Sequence, residues 1–525
     1  MTMPDRRALS WFLPLCVLAT ATAQQEADGN TLRQRAFAAE NAGRFGEAAD
    51  AFLLLHKAEP QRVDWIVAAG RCLGRGGRRN EALELLDGAR RTFPDAVEVR
   101  TMLARTLILS TEAGDALHPE IRWAEAAEIA EGVLAQVPND EEARLLLAQA
   151  RYLQGDVAAA ERHARACAER HPARPGAHVL LGRMAFDRFR FLLEQKHAGT
   201  ADGKAAAELD AAVATARRDA TAALTKASEL DPARAHPHLL LGQIAWLDRQ
   251  PEAAREHFAA ALVREPNTPL DHDRLTEGLT WQQRAELYRG LRERHLAGPN
   301  ASPRAAATLR FQEGRARFLG RDWQSAADCF VAALQDDPAA TNSLYYAFLC
   351  RYELGDHDAA EAFAARYAAD SAPKFADVLR ALDGDRRGAI AAVLRFLADR
   401  AYQAGRLPPS RDLNHVIACL RDDADAWNNH AFLCRETGDF DAAFASYQHA
   451  IEKEPDSPQL WNDAAVVLQH HLKGASNLAK ARTMYERALQ LADKALADGK
   501  LPEVARQRAA KAKADAVANL AELGP

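Results

Sequence analysis

Residues 424–457 read ADAWNNHAFLCRETGDFDAAFASYQHAIEKEPDS, and the second half of that stretch decides the fold. It sets Ala443, a bulky Tyr447 four residues on, a small Ala450 three after that, and Pro455 five later. The same order returns as Ala48-Phe52-Leu55-Pro60, Ala82-Leu86-Ala89-Pro94, Ala254-Phe258-Ala261-Pro266 and Ala326-Phe330-Ala333-Pro338. Pro60 to Pro94, Pro138 to Pro172 and Pro232 to Pro266 are each 34 residues apart. A unit of that size cannot bury its own apolar face and must stack on its neighbours, so the period predicts a solenoid.

Each unit holds a second helix ahead of the alanine pattern. In the unit from Val63 to Pro94, Trp65 and Ile66 start an apolar stripe, Gly70 is its small residue, and Gly76-Gly77 break the helix. Asn80 suits the N-cap of a second periodic stretch that runs to Phe93. Two antiparallel helices of about a dozen residues, joined by a tight turn, form an αα-hairpin. Gly155-Asp156, Gly355-Asp356 and Gly438-Asp439 repeat the turn, with glycine supplying a left-handed helix end.

On these residues the chain resembles the tetratricopeptide repeat family. Residues 424–457 carry its pattern most fully, with Trp427, Ala431, Gly438, Ala443, Tyr447, Ala450 and Pro455 in place. Ten units are recognisable across most of the chain. The resemblance implies an all-α fold, a right-handed superhelical α-solenoid of antiparallel helix-turn-helix repeats. We expect an N-terminal array over 24–268, of about six repeats with insertions near 110–121 and 195–219. Central and C-terminal repeat pairs follow at 307–373 and 424–495, separated by degenerate joints at 269–306 and 374–423. Pro408-Pro409-Ser410 is the candidate bend of the second joint, and 496–525 reads as a polar capping helix.

Composition is that of an ordinary soluble chain, 48% hydrophobic and 27% charged, with a net charge of −6 and no long basic stripe. Nucleic acid is therefore not an expected partner. Arg6-Arg7, the apolar stretch from Ala8 to Ala19 and Ala21-Thr22-Ala23 read as a secretory signal over 1–23, cleaved near Ala23-Gln24. The alternative is an uncleaved anchor, but Pro14 interrupts a run already short for a bilayer. We expect an exported protein, periplasmic or secreted, of bacterial type and without a transmembrane segment after signal removal. Cys72, Cys167, Cys329, Cys350, Cys419 and Cys434 remain, read as buried thiols, with Cys329 and Cys350 the pair to test for a disulfide.

Catalytic signatures are missing: there is no G-x-S-x-G, H-E-x-x-H or G-x-x-x-x-G-K-[ST], so an enzyme is not expected. No cofactor is expected either. His163, Cys167 and His171 share a helix face, but three ligands over about 12 Å of straight helix cannot meet at one tetrahedral ion. His470-His471 and the His236/His238 pair read as packing or surface histidines. The family resemblance implies that the first helices of successive hairpins line a groove for an extended peptide or a partner's helix. Mapped onto this chain, the groove positions are Arg183, Phe186, Gln243, Trp246, Phe311, Arg315, Phe318, Tyr345 and Tyr352. Asn428 and Asn462 lie where some members clamp a carboxylate terminus, but the accompanying lysines are missing. Aromatics with arginine dominate interface energetics, although rings at these positions could also pack between hairpins. The function expected is a protein- or peptide-binding scaffold. A self-assembling structural repeat protein, and a ligand or metal carrier, are the alternatives.

Overall fold

The computed structural model describes residues 30–524 apart from 113, 115–116, 200–201, 473 and 499. The signal-like segment 1–23 lies outside the described residues. Every regular element among them is helical, and the chain divides into two compact units, residues 1–261 and 262–525. The first unit holds α1 (30–41), α2 (Phe45–Ala58), α3 (Val63–Arg75), α4 (Arg79–Thr92), α5 (Val97–Glu112) and α6 (Pro119–Gln136). It continues with α7 (Glu141–Leu153), α8 (Val157–Arg170), α9 (Pro175–His197), α10 (Gly203–Leu230), α11 (Ala235–Leu247) and α12 (Pro251–Arg264), which runs three residues past the boundary. The second unit holds α13 (His272–Leu275), α14 (Trp281–Leu296), α15 (Pro303–Leu319), α16 (Trp323–Asp336), α17 (Asn342–Glu353), α18 (His357–Arg380) and α19 (Gly384–Gln403). It ends with α20 (Leu407–Arg421), α21 (Ala424–Glu436), α22 (Phe440–Lys453), α23 (Pro458–His470), α24 (Ala475–Ala497) and α25 (Glu503–Glu522).

Hairpins form because one residue of the first helix leaves room for one ring or branched chain of the second. A Cβ on Gly242 would lie 2.5 Å from the Phe258 ring, and one on Gly314 would lie 2.8 Å from Phe330. Gly70 stands in the same relation to Leu86, and Gly182 to Leu224. The bulky partners are the pattern residues read from sequence, and Phe52, Leu86, Phe258, Phe330, Tyr447 and Tyr485 are all fully buried. Burying a side chain of this size contributes roughly 1.5–3 kcal/mol, which recurs in hairpin after hairpin.

The turns work by a shared residue. Gly438 takes φ 82°, letting Asp439 N–H reach back to the Cys434 carbonyl at 2.9 Å and close α21. The Asp439 carboxylate then accepts from Ala442 N–H at 3.2 Å and opens α22. Asp156, Asp322 and Asp356 do the same. At two turns the left-handed position carries arginine instead, Arg249 (φ 57°) and Arg321 (φ 60°). Asn80 is not the cap expected of it: α4 begins at Arg79, its cap position is Arg78, and the Asn80 amide oxygen accepts from Arg122.

First helices also pack on one another, α3 on α5, α5 on α7, α7 on α9 and α9 on α11 in one unit, and α15 on α17 in the other. After α17 the rule changes. α18 breaks at Ser371, whose backbone is non-helical (φ −164°, ψ 95°) two residues before Pro373. The helix restarts at once, because the Ser371 hydroxyl accepts from Lys374 N–H at 3.3 Å. The redirected tail carries Phe375 and Leu379 into the core, and α18 packs on α20. Glu361, buried in α18, accepts from Arg406 through two bonds of 2.7 Å and ties that contact down. Pro408 and Pro409 make no bend; they sit in the first turn of α20, where a missing N–H costs nothing. At the C-terminus α25 lies against α23 and α24, burying Ala509, Ala512 and Ala516.

All six cysteines among the described residues are free; Cys72, Cys167, Cys350 and Cys434 are buried, while Cys329 and Cys419 are partly exposed. Cys434 sits by a histidine cluster. His430 is 5% exposed; its ring stacks on His415 at 4.3 Å and its two nitrogens meet Ser446 Oγ at 2.9 Å and Cys434 Sγ at 3.3 Å. Burial, reinforced by the nearby His415 and Arg411, pushes His430 down to about 3.

The packing can be tested at two glycines. Gly314→Ala should lower stability by about 1–3 kcal/mol through overpacking, whereas Gly88→Ala, with open space around it, should raise it by about 0.4–1 kcal/mol; denaturant titration of the two variants measures both. A second prediction concerns acid. His430 resists protonation in the folded state, so its contribution is complete above about pH 6.5 and is lost as pH falls toward 3, at up to about 1.4 kcal/mol per pH unit. Between pH 7.5 and 4.5, His430→Gln should therefore lose at least about 1 kcal/mol less stability than the parent; an equal loss would refute the assignment.

Candidate functional site

Four of the groove positions meet in one place. Phe311, Arg315 and Phe318 follow one another at helical spacing on α15 and, with Tyr345 of α17, line an open cavity of about 750 Å³. Its far wall is Tyr367 and Val378 of α18, with Arg386, Ala389 and Ile390 of α19. The cavity sits where the helix pattern changes: α18 packs on α20 as well as on α17 and α19, and its tail beyond the break at Ser371 contributes Val378 to the wall.

Its aromatic wall is fixed by ring contacts. Tyr346 is the hub, stacked on Phe330 at 5.2 Å and edge-on to Phe318 at 5.2 Å, Phe311 at 5.6 Å and Tyr345 at 5.2 Å. Tyr345 in turn meets Phe348 at 5.6 Å, and Phe375 holds Tyr367 at 4.5 Å. Such pairs add roughly 0.5–1.5 kcal/mol each beyond area burial and leave the wall little freedom to collapse. Tyr345 is pushed up to about 12 by burial, so its hydroxyl stays protonated and can donate. The charged groups are Arg315, which donates to Gln312 at 3.2 Å, and Arg386, whose Nε pairs with Asp383 at 3.5 Å.

The other expected positions lie elsewhere. Phe186 is 3% exposed and belongs to the core with Phe189 and Leu224, so it offers no groove surface. Arg183, Gln243 and Trp246 are partly exposed on α9 and α11 of the first unit. Tyr352 packs against His357 at 5.3 Å and Phe396 at 6.2 Å, outside the cavity. Asn462 is 4% exposed because α25 covers it: Asn519 donates to its amide oxygen at 3.3 Å. Asn428 borders a smaller cleft of about 230 Å³ between α21, α23 and α25, beside Asp425, Glu454 and Arg508. Arg386 and Ile390 lie in the degenerate segment 374–423, where Gly384, Ala389 and Val393 keep only part of the repeat pattern, too little to assign groove positions. Tyr346 was within reach, being the neighbour of Tyr345 in the register that selected it.

The first unit has clefts of its own. One of about 590 Å³ is rimmed by Arg71, Arg75, Arg79 and Arg105 over Gly70 and Gly74, but Glu40 already chelates Arg71 at 2.9 and 3.1 Å and Glu142 pairs with Arg105. Among the described residues no three His, Cys, Asp or Glu side chains converge as a metal site would require. Cys167 is buried against the Glu141 carbonyl, and His171 lies 3.8 Å from the Glu141 carboxylate. No helix among them is long and apolar enough to cross a membrane.

Residues 424–457 match a tetratricopeptide repeat model, and residues 102–188 match the second armadillo-like domain of tetratricopeptide repeat protein 21. No curated protein sequence matches the chain. Among solved structures, a thermophilic tetratricopeptide repeat protein of Thermus thermophilus is 17% identical, with 46% of this chain and 97% of that one covered and a TM-score of 0.24. A tetratricopeptide repeat protein of Parabacteroides merdae is 12% identical, with 61% and 98% covered and a TM-score of 0.30. Yeast Tom70 is 13% identical, with 94% and 97% covered and a TM-score of 0.22. The two family models support a helical-repeat chain of the tetratricopeptide and armadillo-like kind.

Proposed function

We propose that this chain is a non-enzymatic scaffold that binds a protein or peptide partner in the cell envelope, using the cavity between α15, α17, α18 and α19. The observation that carries the reading is the convergence there of Phe311, Phe318, Tyr345 and Tyr346 with Arg315 and Arg386. Large rings already locked by one another lose little entropy on binding and bury much area, which is how interface anchors act. Leu319, 66% exposed, and Val378 extend the apolar surface to the rim. Repeat chains of this kind commonly mediate contacts between proteins, and a preformed groove suits an extended segment or a helix. Export rests on the Arg6-Arg7, apolar and Ala21-Thr22-Ala23 pattern, which supports a partner in the envelope or outside the cell.

Leu319 and Ala389 are both exposed at this cavity, so Leu319→Glu/Ala389→Glu fills it with charge at little cost to the fold. With the full chain as bait in an envelope extract, the parent should retain a defined protein that this variant loses by at least about tenfold. Equal retention by a variant with unchanged helicity and thermal midpoint would move binding to another surface.

A further inference from the structure

We propose that the occupant of this cavity is an extended partner segment in which a bulky apolar side chain is flanked by aspartate or glutamate. The inference rests on the preceding reading and specifies its ligand. It follows from what the lining contains and what it leaves out. Of the fourteen lining residues two are arginines and none is a carboxylate, in a chain whose acidic residues outnumber its basic ones by 73 to 67. Most arginines on this molecule are already matched. Arg317 pairs with Glu313 and Asp322, Arg310 with Asp336, and Arg400 and Arg406 with Asp358 and Glu361. Among the described residues Arg315 has only the neutral Gln312 amide, and Arg386 uses Nε on Asp383, leaving its terminal nitrogens for another acceptor.

The two guanidinium groups come from different walls, Arg315 from α15 and Arg386 from α19, with the rings of Tyr345 and Tyr346 also lining the cavity. An apolar side chain seated on those rings would carry its neighbouring carboxylates to the arginines, where a charge-assisted, bidentate bond replaces water. A basic segment meets the positive charge of both guanidinium groups and is disfavoured, and a neutral one covers Arg315 and the terminal nitrogens of Arg386 without supplying a carboxylate to them. The outward exposure of Leu319 and Val378 leaves the cavity open at its rim, as passage of a continuous chain requires.

A library of heptapeptides with blocked termini, selected on the full chain, tests this. Blocking the termini confines any carboxylate to side chains. Sequences placing Asp or Glu beside Phe, Tyr, Trp or Leu should be enriched. Individual winners should bind Arg315→Glu/Arg386→Glu at least about tenfold more weakly, and should weaken as salt rises. Arg315→Lys/Arg386→Lys, which keeps the charge but not the fork, should retain part of the binding. Enrichment of neutral or basic sequences, or undiminished binding to the charge-reversed variant, overturns the acidic assignment while leaving a peptide-binding groove in place. If no sequence is enriched over Leu319→Glu/Ala389→Glu, both this inference and the scaffold reading of the cavity fall. If light scattering shows a dimer that the same variant abolishes, the occupant is a second copy of the chain and the acidic segment is ruled out.

Discussion

The structure depends on a contact repeated in hairpin after hairpin: a residue with no side chain to spare in the first helix, met by a ring or branched chain from the second. Gly242 on Phe258 and Gly182 on Leu224 are tight instances, with Gly314 on Phe330 close behind. Close approach of this sort sets the distance between the two helices, and that distance fixes where the next hairpin can dock. Alanine takes this place at Ala431, which is buried in one cluster with Tyr447. The high alanine content and the sparse aromatics are two sides of this arrangement, since each buried ring needs several small neighbours.

The turn adds economy to the packing. A single aspartate after the left-handed residue both closes one helix through its backbone and opens the next through its side chain, so one residue satisfies groups at two helix ends. Arg249 and Arg321 show that the left-handed position tolerates a side chain where the flanking hydrogen bonds insist on it, at a cost of roughly 1 kcal/mol. The departure that matters for function is of a different kind. Ser371 and Pro373 interrupt α18 without unfolding it, and the redirected tail buries Phe375 and Leu379 while setting Val378 in the cavity wall.

How much of this was legible beforehand divides along the same line. Period, hairpin character and turn glycines were readable because each is a local rule applied to residues a fixed number of positions apart. Phe311, Arg315, Phe318 and Tyr345 sit on helices that keep the register, and that spacing sets them along one cavity. Phe186 and Asn462 were misplaced because burial depends on what arrives from outside the unit: neighbouring Phe189 and Leu224 enclose the first, and α25 closes over the second. Arg386 was beyond reach, since its position follows from a helix break whose angle no spacing encodes. Asn80 illustrates a smaller failure, in which a good capping residue stands two positions too late to be used.

The short reach of the contacts also determines how the molecule could signal. Within each unit the helix contacts run to the next one or two helices along the chain, so stability there is close to a sum of neighbour terms and a local gain does not propagate far. A segment seated among α15, α17, α18 and α19 would slow amide exchange in those helices and leave the α23–α25 cap breathing at its own rate. Occupancy would then register as slowed exchange confined to the helices around the cavity.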